Sequence, residues 1–322
     1  MTSAVVFAYH NVGVRCLSVL LAQGIQVSLV VTHTDNPDEN IWFDSVAKLA
    51  EEHGIPVITP EDPNLPEIVD QISALRPDFI FSFYYRNMLK ADLLNIPSRG
   101  ALNMHGSLLP KYRGRVPVNW AIIKGEKETG ATLHYMTEKP DNGPIVDQQA
   151  VPILPNDTAF EVFHKVTCAA EIALNRCLPA LISGTAPVTQ QDLTKGAYFG
   201  GRRPEDGKIN WRNDALAIHN LIRAVAPPYP GAYTTLAGKP MRILRSMVQP
   251  NRSAQYETPH FYCINDQCYA DCGNGSVLRI LEFEIDGKPL IAADFVAAYG
   301  STPQPLGDEL TIEKQVIRKG NK

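Results

Sequence analysis

The chain has 322 residues, 44% of them hydrophobic, with 30 Lys and Arg against 34 Asp and Glu for a net charge of −4. That length buries one large or two modest cores without disulfide or metal staples, and the slight acidity argues against a general polyanion-binding protein. Met1 is followed by Thr-Ser-Ala and a buried-type strand rather than a signal peptide, and no stretch approaches the roughly 18 continuous apolar residues of a membrane span, so a cytoplasmic chain without membrane partners is expected.

Short apolar runs at 4–8, 27–32, 56–59, 79–83 and 101–105 predict strands, and helical patterns near 14–23, 43–53 and 65–75 lie between them. This alternation implies an α/β fold with right-handed crossovers, a mostly parallel sheet, and ligands at the carboxyl ends of the strands. Tyr9-His-Asn-Val-Gly13 follows the first strand in place of Gly-x-Gly-x-x-Gly, which argues against a dinucleotide site. A short helix at 118–124 comes next, then a strand pair at 131–135 and 143–151. Asp141 lies on the turn between those strands, among Pro140, Asn142, Gly143 and Pro144. A long amphipathic helix over 158–182 has Asp157 placed to cap it. The pattern dissolves into a connector over 184–203. Beyond it, one helix at 215–225 and alternating runs at 233–236, 241–245, 260–264 and 277–283 read as a small β-rich domain. The expected division is a first domain over 1–200, a second over 205–305, and a polar tail over 306–322.

Six cysteines occur, at 16, 168, 177, 263, 268 and 272. His260, Cys263, Cys268 and Cys272 crowd together, but their spacings fit no common zinc pattern and their neighbours alternate like strands, so buried reduced thiols and no metal are expected.

The most informative stretch is 101–117, Ala-Leu-Asn-Met-His-Gly-Ser-Leu-Leu-Pro-Lys-Tyr-Arg-Gly-Arg-Val-Pro. In a strand, alternate side chains share a face, so Asn103 and His105 point one way and Leu102 and Met104 the other. The pair offers a neutral donor for a developing oxyanion and a group that moves protons near pH 7, which suits acyl transfer to an amine. For an isolated Asn-x-His, a capping Asn and a satisfied turn histidine would be the favoured reading. Ser107 is a rival nucleophile, but it lacks the Gly-x-Ser-x-Gly context and reads as a turn hydroxyl.

Asn103-Met-His105 followed by Ser107-Leu-Leu-Pro-Lys-Tyr-Arg-Gly114 resembles the signature of folate-dependent formyltransferases, and Lys139-Pro-Asp141-Asn-Gly-Pro supplies that family's further Asp. Val5-Val-Phe-Ala-Tyr-His10, Thr32-His-Thr-Asp-Asn-Pro37, Phe81-Ser-Phe-Tyr-Tyr-Arg86 and Gly200-Gly-Arg-Arg-Pro204 look like one branch, the UDP-4-amino-4-deoxy-L-arabinose formyltransferases of polymyxin resistance. The resemblance implies a Rossmann-like formyltransferase domain, an open-barrel, OB-like second domain, and 10-formyltetrahydrofolate as donor. It implies catalysis by Asn103, His105 and Asp141. It places the donor against Asn87, Met88, Leu89, Arg115, Thr137, Glu138, Lys139, Pro140 and Asp141. Tyr9, His10, Gly201, Arg202 and Arg203 are the expected acceptor contacts, the last three as a diphosphate clamp. Partners would be small molecules and not nucleic acid, and a homo-oligomer is compatible with this reading. The family's bifunctional members carry a decarboxylase, which here would be a separate polypeptide. His10-Asn11-Val12 stands where the branch usually has His-Asp-Met, which leaves open another nucleotide-linked amino sugar as acceptor. Methionyl-transfer-RNA formyltransferase is the other alternative, but the loop at 34–40 is acidic where phosphates would need cations. A nucleotide-sugar-binding regulator would explain Arg202 and Arg203, but not Asn103, His105 and Asp141 together.

Overall fold

A computed structural model describes residues 1–307, so the expected polar tail lies outside the described residues except at its start. Strands β1 (Ser3–Ala8), β2 (Gln26–Val31), β3 (Val57–Ile58), β4 (Phe79–Phe83) and β5 (Ala101–His105) pair in parallel in the order β3-β2-β1-β4-β5. Helices α1 (His10–Ala22), α2 (Val46–Glu52), α3 (Pro66–Leu75) and the short α4 (Ala91–Leu94) lie between them in sequence. Phe79, Ile80, Phe81 and Phe83 are all buried, which explains why this strand is apolar at every position but Ser82: a parallel sheet hides both faces. The two-residue β6 (Arg113–Gly114) and α5 (Pro117–Ile123) follow. Then β7 (Glu128–Tyr135) and β8 (Ile145–Pro152) add antiparallel strands beyond β5.

Several boundaries differ from expectation for local reasons. Helix α1 starts at His10 rather than residue 14, and Gly13 permits this: a Cβ there would lie 3.1 Å from the Ala8 Cβ and 3.0 Å from Val46. Helix α2 starts at Val46 because Ser45 caps it, its hydroxyl accepting the Lys48 N–H at 3.3 Å. Phe43 is thereby left outside the helix and stacks on His10, with ring centroids 3.9 Å apart. Helix α6 (Ala159–Ser183) is long and apolar enough, by length and composition alone, to cross a membrane, yet half of the apolar window is buried inside the protein. The connector is not structureless: β9 (Tyr198–Phe199) pairs in parallel with β6.

The first compact unit spans 1–121, 127–153 and 161–201. The second takes in 122–126, 154–160 and the chain from Arg202 onward. In the second, β10 (Ala232–Leu236), β11 (Lys239–Val248), β12 (His260–Ile264), β13 (Gln267–Asp271), β14 (Val277–Ile285), β15 (Lys288–Leu290) and β16 (Gln304–Pro305) pair antiparallel. The order is β10-β11-β14-β13-β12-β16, with β15 on β14, giving an OB-like, barrel-like sheet. Helix α7 (Ala215–Val225) buries Ile218 and Ile222 in a core with Met241, Ile243, Phe261 and Phe283. It also explains why 154–160 belong here: the buried Arg223 guanidinium donates to the Leu154 and Asp157 carbonyls at 3.3 and 2.9 Å. A second helix, α8 (Ala292–Tyr299), contradicts the expectation of one. Its only buried side chain is Phe295, packed on Phe261 and Phe283, so no apolar stripe announces it in the sequence.

Candidate active site

Strand β5 ends at the carboxyl edge of the sheet with Asn103 and His105 on one face, while the buried Leu102 and Met104 occupy the other. Register with β7 sets Asn103 opposite His134 and His105 opposite Thr132. Gly106 then turns the chain tightly, since a Cβ there would lie 1.9 Å from the Tyr84 hydroxyl. Ser107 is fully buried and donates to the Lys111 carbonyl at 2.7 Å, which makes it a turn-stabilising hydroxyl.

Asp141 arrives from the β7–β8 turn in a left-handed conformation, φ 58°. Its Oδ1 lies 3.4 Å from His105 Nδ1 and 3.6 Å from His134 Nε2, and its Oδ2 accepts the Gly114 N–H at 2.7 Å. Three contacts hold this turn. Gln191 Nε2 donates to the Asp141 and Gly143 carbonyls at 2.9 and 2.6 Å, and Arg113 donates to Asn142 Oδ1 at 2.8 Å. Gly143 has no room for a side chain, its Cβ position being 1.8 Å from the Tyr135 carbonyl oxygen. The β6–β9 pairing positions Gly114, so the connector supports the Asp141 carboxylate from a distance in sequence.

Donor logic sets the protons. His105 Nε2 sits 2.8 Å from the Tyr112 carbonyl, which can only accept, so Nε2 carries the hydrogen and Nδ1 presents a lone pair towards Asp141. His134 Nδ1 likewise donates to the Tyr135 carbonyl at 2.9 Å, leaving its Nε2 to accept from the Asn103 amide at 3.2 Å. This orients the Asn103 amide nitrogen and leaves its second N–H for another acceptor. Burial pushes the His105 imidazole below its ordinary range, against the pull of the Asp141 carboxylate and the Tyr112 carbonyl. Burial also pushes the Asp141 carboxyl up, but the imidazoles in their charged form and the Gly114 N–H outweigh it and hold the group down at about 2. At neutral pH the site therefore pairs a neutral base with a carboxylate.

The other expected site residues fall into separate groups. Leu89 is buried in the core, Met88 is half exposed, and the Asn87 amide donates to the Glu61 carbonyl at 2.9 Å. Thr137 donates to the Lys139 carbonyl at 2.8 Å, which curls Glu138 and Pro140 into the loop before Asp141. The Arg115 N–H donates to Phe199 at 2.9 Å, and a Cβ at Gly201 would lie 3.5 Å from the Arg115 side chain. Tyr9, His10 and Gly201 belong to the first unit, Arg202 and Arg203 to the second. Arg202 already donates to the Asp206 carbonyl at 2.7 Å, and the Arg203 N–H donates to the Asp206 carboxylate at 2.7 Å.

Around Tyr9 the structure adds a network absent from the sequence reading. Arg86 forms a two-pronged bond with Glu39 at 2.8 and 2.9 Å, and its guanidinium lies 4.8 Å from the centre of the Tyr9 ring. The Tyr9 hydroxyl donates to Asp35 at 2.7 Å, and His33 accepts the Arg86 N–H at 3.0 Å while stacking on Tyr85. The acidic 34–40 loop is thus fastened at the end of β1. Burial, reinforced by Arg86 and His164, pushes His10 down to about 3, so it is neutral near pH 7.

Residues 10–178 match the family described as Formyl transferase, and residues 202–300 match Formyl transferase, C-terminal domain. The chain belongs to the formyl transferase family. An N-formyltransferase from Helicobacter canadensis, in complex with folinic acid and dTDP-3-aminofucose, shares this formyl transferase's fold with a TM-score of 0.68 at 24% identity, over 87% of this chain and 99% of that one. WlaRD, a sugar 3N-formyl transferase in the presence of dTDP and 5-N-formyl-THF, matches at 0.69 and 22%, over 89% and 99%. HypX from Aquifex aeolicus matches at 0.61 and 17%, over 92% of this formyl transferase but only 47% of its own length.

The sequence reading missed His134 and Gln191, and quoted Gly114 in the signature without giving it a role at the site. A signal for His134 exists: Thr132 and His134 are alternate polar residues in the otherwise apolar 131–135 run, repeating the Asn103–His105 pattern. Gln191 sits in an irregular segment with no periodicity to mark it. All six cysteines are free, and among the described residues no cluster of His, Cys, Asp and Glu is placed to hold a metal ion.

Proposed function

We propose that this formyl transferase carries a formyl group from 10-formyltetrahydrofolate to the 4-amino group of UDP-4-amino-4-deoxy-L-arabinose, a step of lipid A modification in polymyxin resistance. The observation that carries the reading is the convergence of Asn103, His105 and Asp141 at the end of β5, with a neutral imidazole 3.4 Å from a carboxylate. As the acceptor amine attacks the formyl carbon, the free Asn103 N–H donates to the growing oxyanion. His105 takes the amine proton at Nδ1 and returns it to the departing folate nitrogen. Asp141 stabilises the imidazolium formed in between, and the Tyr112 carbonyl holds the ring through Nε2–H. The donor lies against Asn87, Met88, Leu89, Arg115 and Thr137–Asp141. Tyr9, His10 and Gly201 in the first unit are the proposed acceptor contacts, and Arg202 and Arg203 in the second are the proposed diphosphate contacts.

Two like-folded proteins described with folates and dTDP or a dTDP-sugar support a folate donor and a nucleotide-linked amino sugar as acceptor. Another such amino sugar is the second reading. Transfer RNA is disfavoured because Asp35 and Asp38 in the 34–40 loop would repel its phosphates. The test is formyl transfer from 10-formyltetrahydrofolate to a panel of UDP- and dTDP-amino sugars and to charged methionyl-transfer RNA. Preference for the UDP-4-amino sugar is expected, and formylation of the transfer RNA alone would overturn the proposal.

A further inference from the structure

Two of the cysteines that catalysis does not use face each other in the second unit. Asn265 and Asp266 both have positive φ, 49° and 59°, the signature of a two-residue hairpin turn between β12 and β13. That turn sets the register: Ile264 pairs with Gln267, and Cys263 directly with Cys268. The pair flanking such a turn is the hydrogen-bonded kind, so the cysteine pair is the non-hydrogen-bonded kind, in which side chains approach most closely. Its Cα atoms are about 4.5 Å apart in regular geometry, within the ~4.4–6.8 Å that a disulfide spans. Both side chains lie on the core side of the sheet, with Cys268 buried and Cys263 half-buried at its edge.

We infer that Cys263 and Cys268 form a reversible dithiol–disulfide couple, with Cys263 the thiol that meets a peroxide and Cys268 the thiol that resolves it. The environment divides those roles. Cys263 is half-buried and so within reach of a peroxide, whereas Cys268 is buried, and its contact with Cys263 together with that burial raises its thiol. In the first step the Cys263 thiolate attacks one peroxide oxygen, the O–O bond breaks, and the protein holds a sulfenic acid while the departing hydroxide takes up the proton the thiol had released and leaves as water. In the second, the Cys268 sulfur attacks the Cys263 sulfur, the S–O bond breaks, and the Cys268 proton leaves with the hydroxide as a second water. Overall the two thiols lose two hydrogens and hydrogen peroxide becomes two waters.

The full-length protein carrying Cys168→Ser, which removes the one exposed thiol, would be reduced, treated with hydrogen peroxide, alkylated and mapped by mass spectrometry. The expected result is the loss of two hydrogens, confined to peptides bearing Cys263 and Cys268, reversed by dithiothreitol and absent after Cys263→Ser or Cys268→Ser. In the Cys268→Ser variant, Cys263 should be captured as a sulfenic acid by dimedone. Full alkylation of both thiols after peroxide, a disulfide from either to another cysteine, or Cys263 advancing to the sulfinic acid while Cys268 stays alkylatable would overturn the inference.

Discussion

Replacing Asn103 with Ala tests the site most directly, because its two amide hydrogens have separable duties. One is taken by His134 Nε2 at 3.2 Å, and the other is the donor assigned to the oxyanion. Removing a single oxyanion donor costs about 2.7–4 kcal/mol of transition-state stabilisation, or ~10²–10³ in kcat. The neutral formyl oxygen of the ground state gains less from the same contact, so the KM values should change little. The substitution also leaves His134 Nε2 unpaired in a place where His134 is 1% exposed, a penalty of about 1–3 kcal/mol that should lower the unfolding temperature by several degrees. Steady-state formyl transfer, with a binding measurement for the folate and a thermal melt, separates the two effects. His134→Ala provides the contrast, since it unpins the amide but keeps both hydrogens, and its loss of kcat should be the smaller. An Asn103→Ala enzyme with more than about a tenth of wild-type turnover would refute the oxyanion role.

Because burial holds the His105 imidazole down, the neutral form proposed as the base persists below the ordinary range. The acid limb of kcat/KM should therefore fall below about pH 6.5, and Asp141→Asn, by removing the charge that pulls His105 up, should move the limb lower still while reducing kcat. An acid limb above pH 7 would contradict the neutral base. Arg86→Lys should fail to replace the two-pronged bond to Glu39, and Glu39→Gln should match it: both should raise the KM for the acceptor with kcat nearly constant, and equal KM values in all three enzymes would detach the 34–40 loop from acceptor binding. Replacing Arg202 and Arg203 together with Ala should raise the acceptor KM about ten-fold or more at ~1.5–3 kcal/mol per charge-assisted contact, with the donor KM unchanged. Unaltered acceptor kinetics would reduce that segment to a linker.

Much of the first unit was legible because its parallel strands are buried on both faces and so appear as apolar runs, unbroken over Ala4, Val5, Val6, Phe7 and Ala8. The Asn103 and His105 pair was legible for the complementary reason. A polar residue at every second position of a buried strand is costly unless it faces a site, and strand alternation places both on one side. Ser107 could be read as a turn hydroxyl from the missing nucleophile context. What the sequence determined, then, was the order of elements, the face shared by two side chains and the turn that carries Asp141.

Only the tertiary structure decided who partners those groups. His134 meets Asn103 through the β5–β7 register, and no local pattern states which strand lies beside which. Gln191 reaches the Asp141 turn, and Gly114 its carboxylate, from segments 50 and 27 residues away in the chain. Helix α8 stayed hidden because it buries one phenylalanine, and the start of α2 depended on a serine cap that moved Phe43 onto His10. Composition and periodicity report what a segment must bury. The tautomer of His105, the orientation of the Asn103 amide and the low pKa of Asp141 arise from groups brought together across the chain, and such contacts exist only once it has folded.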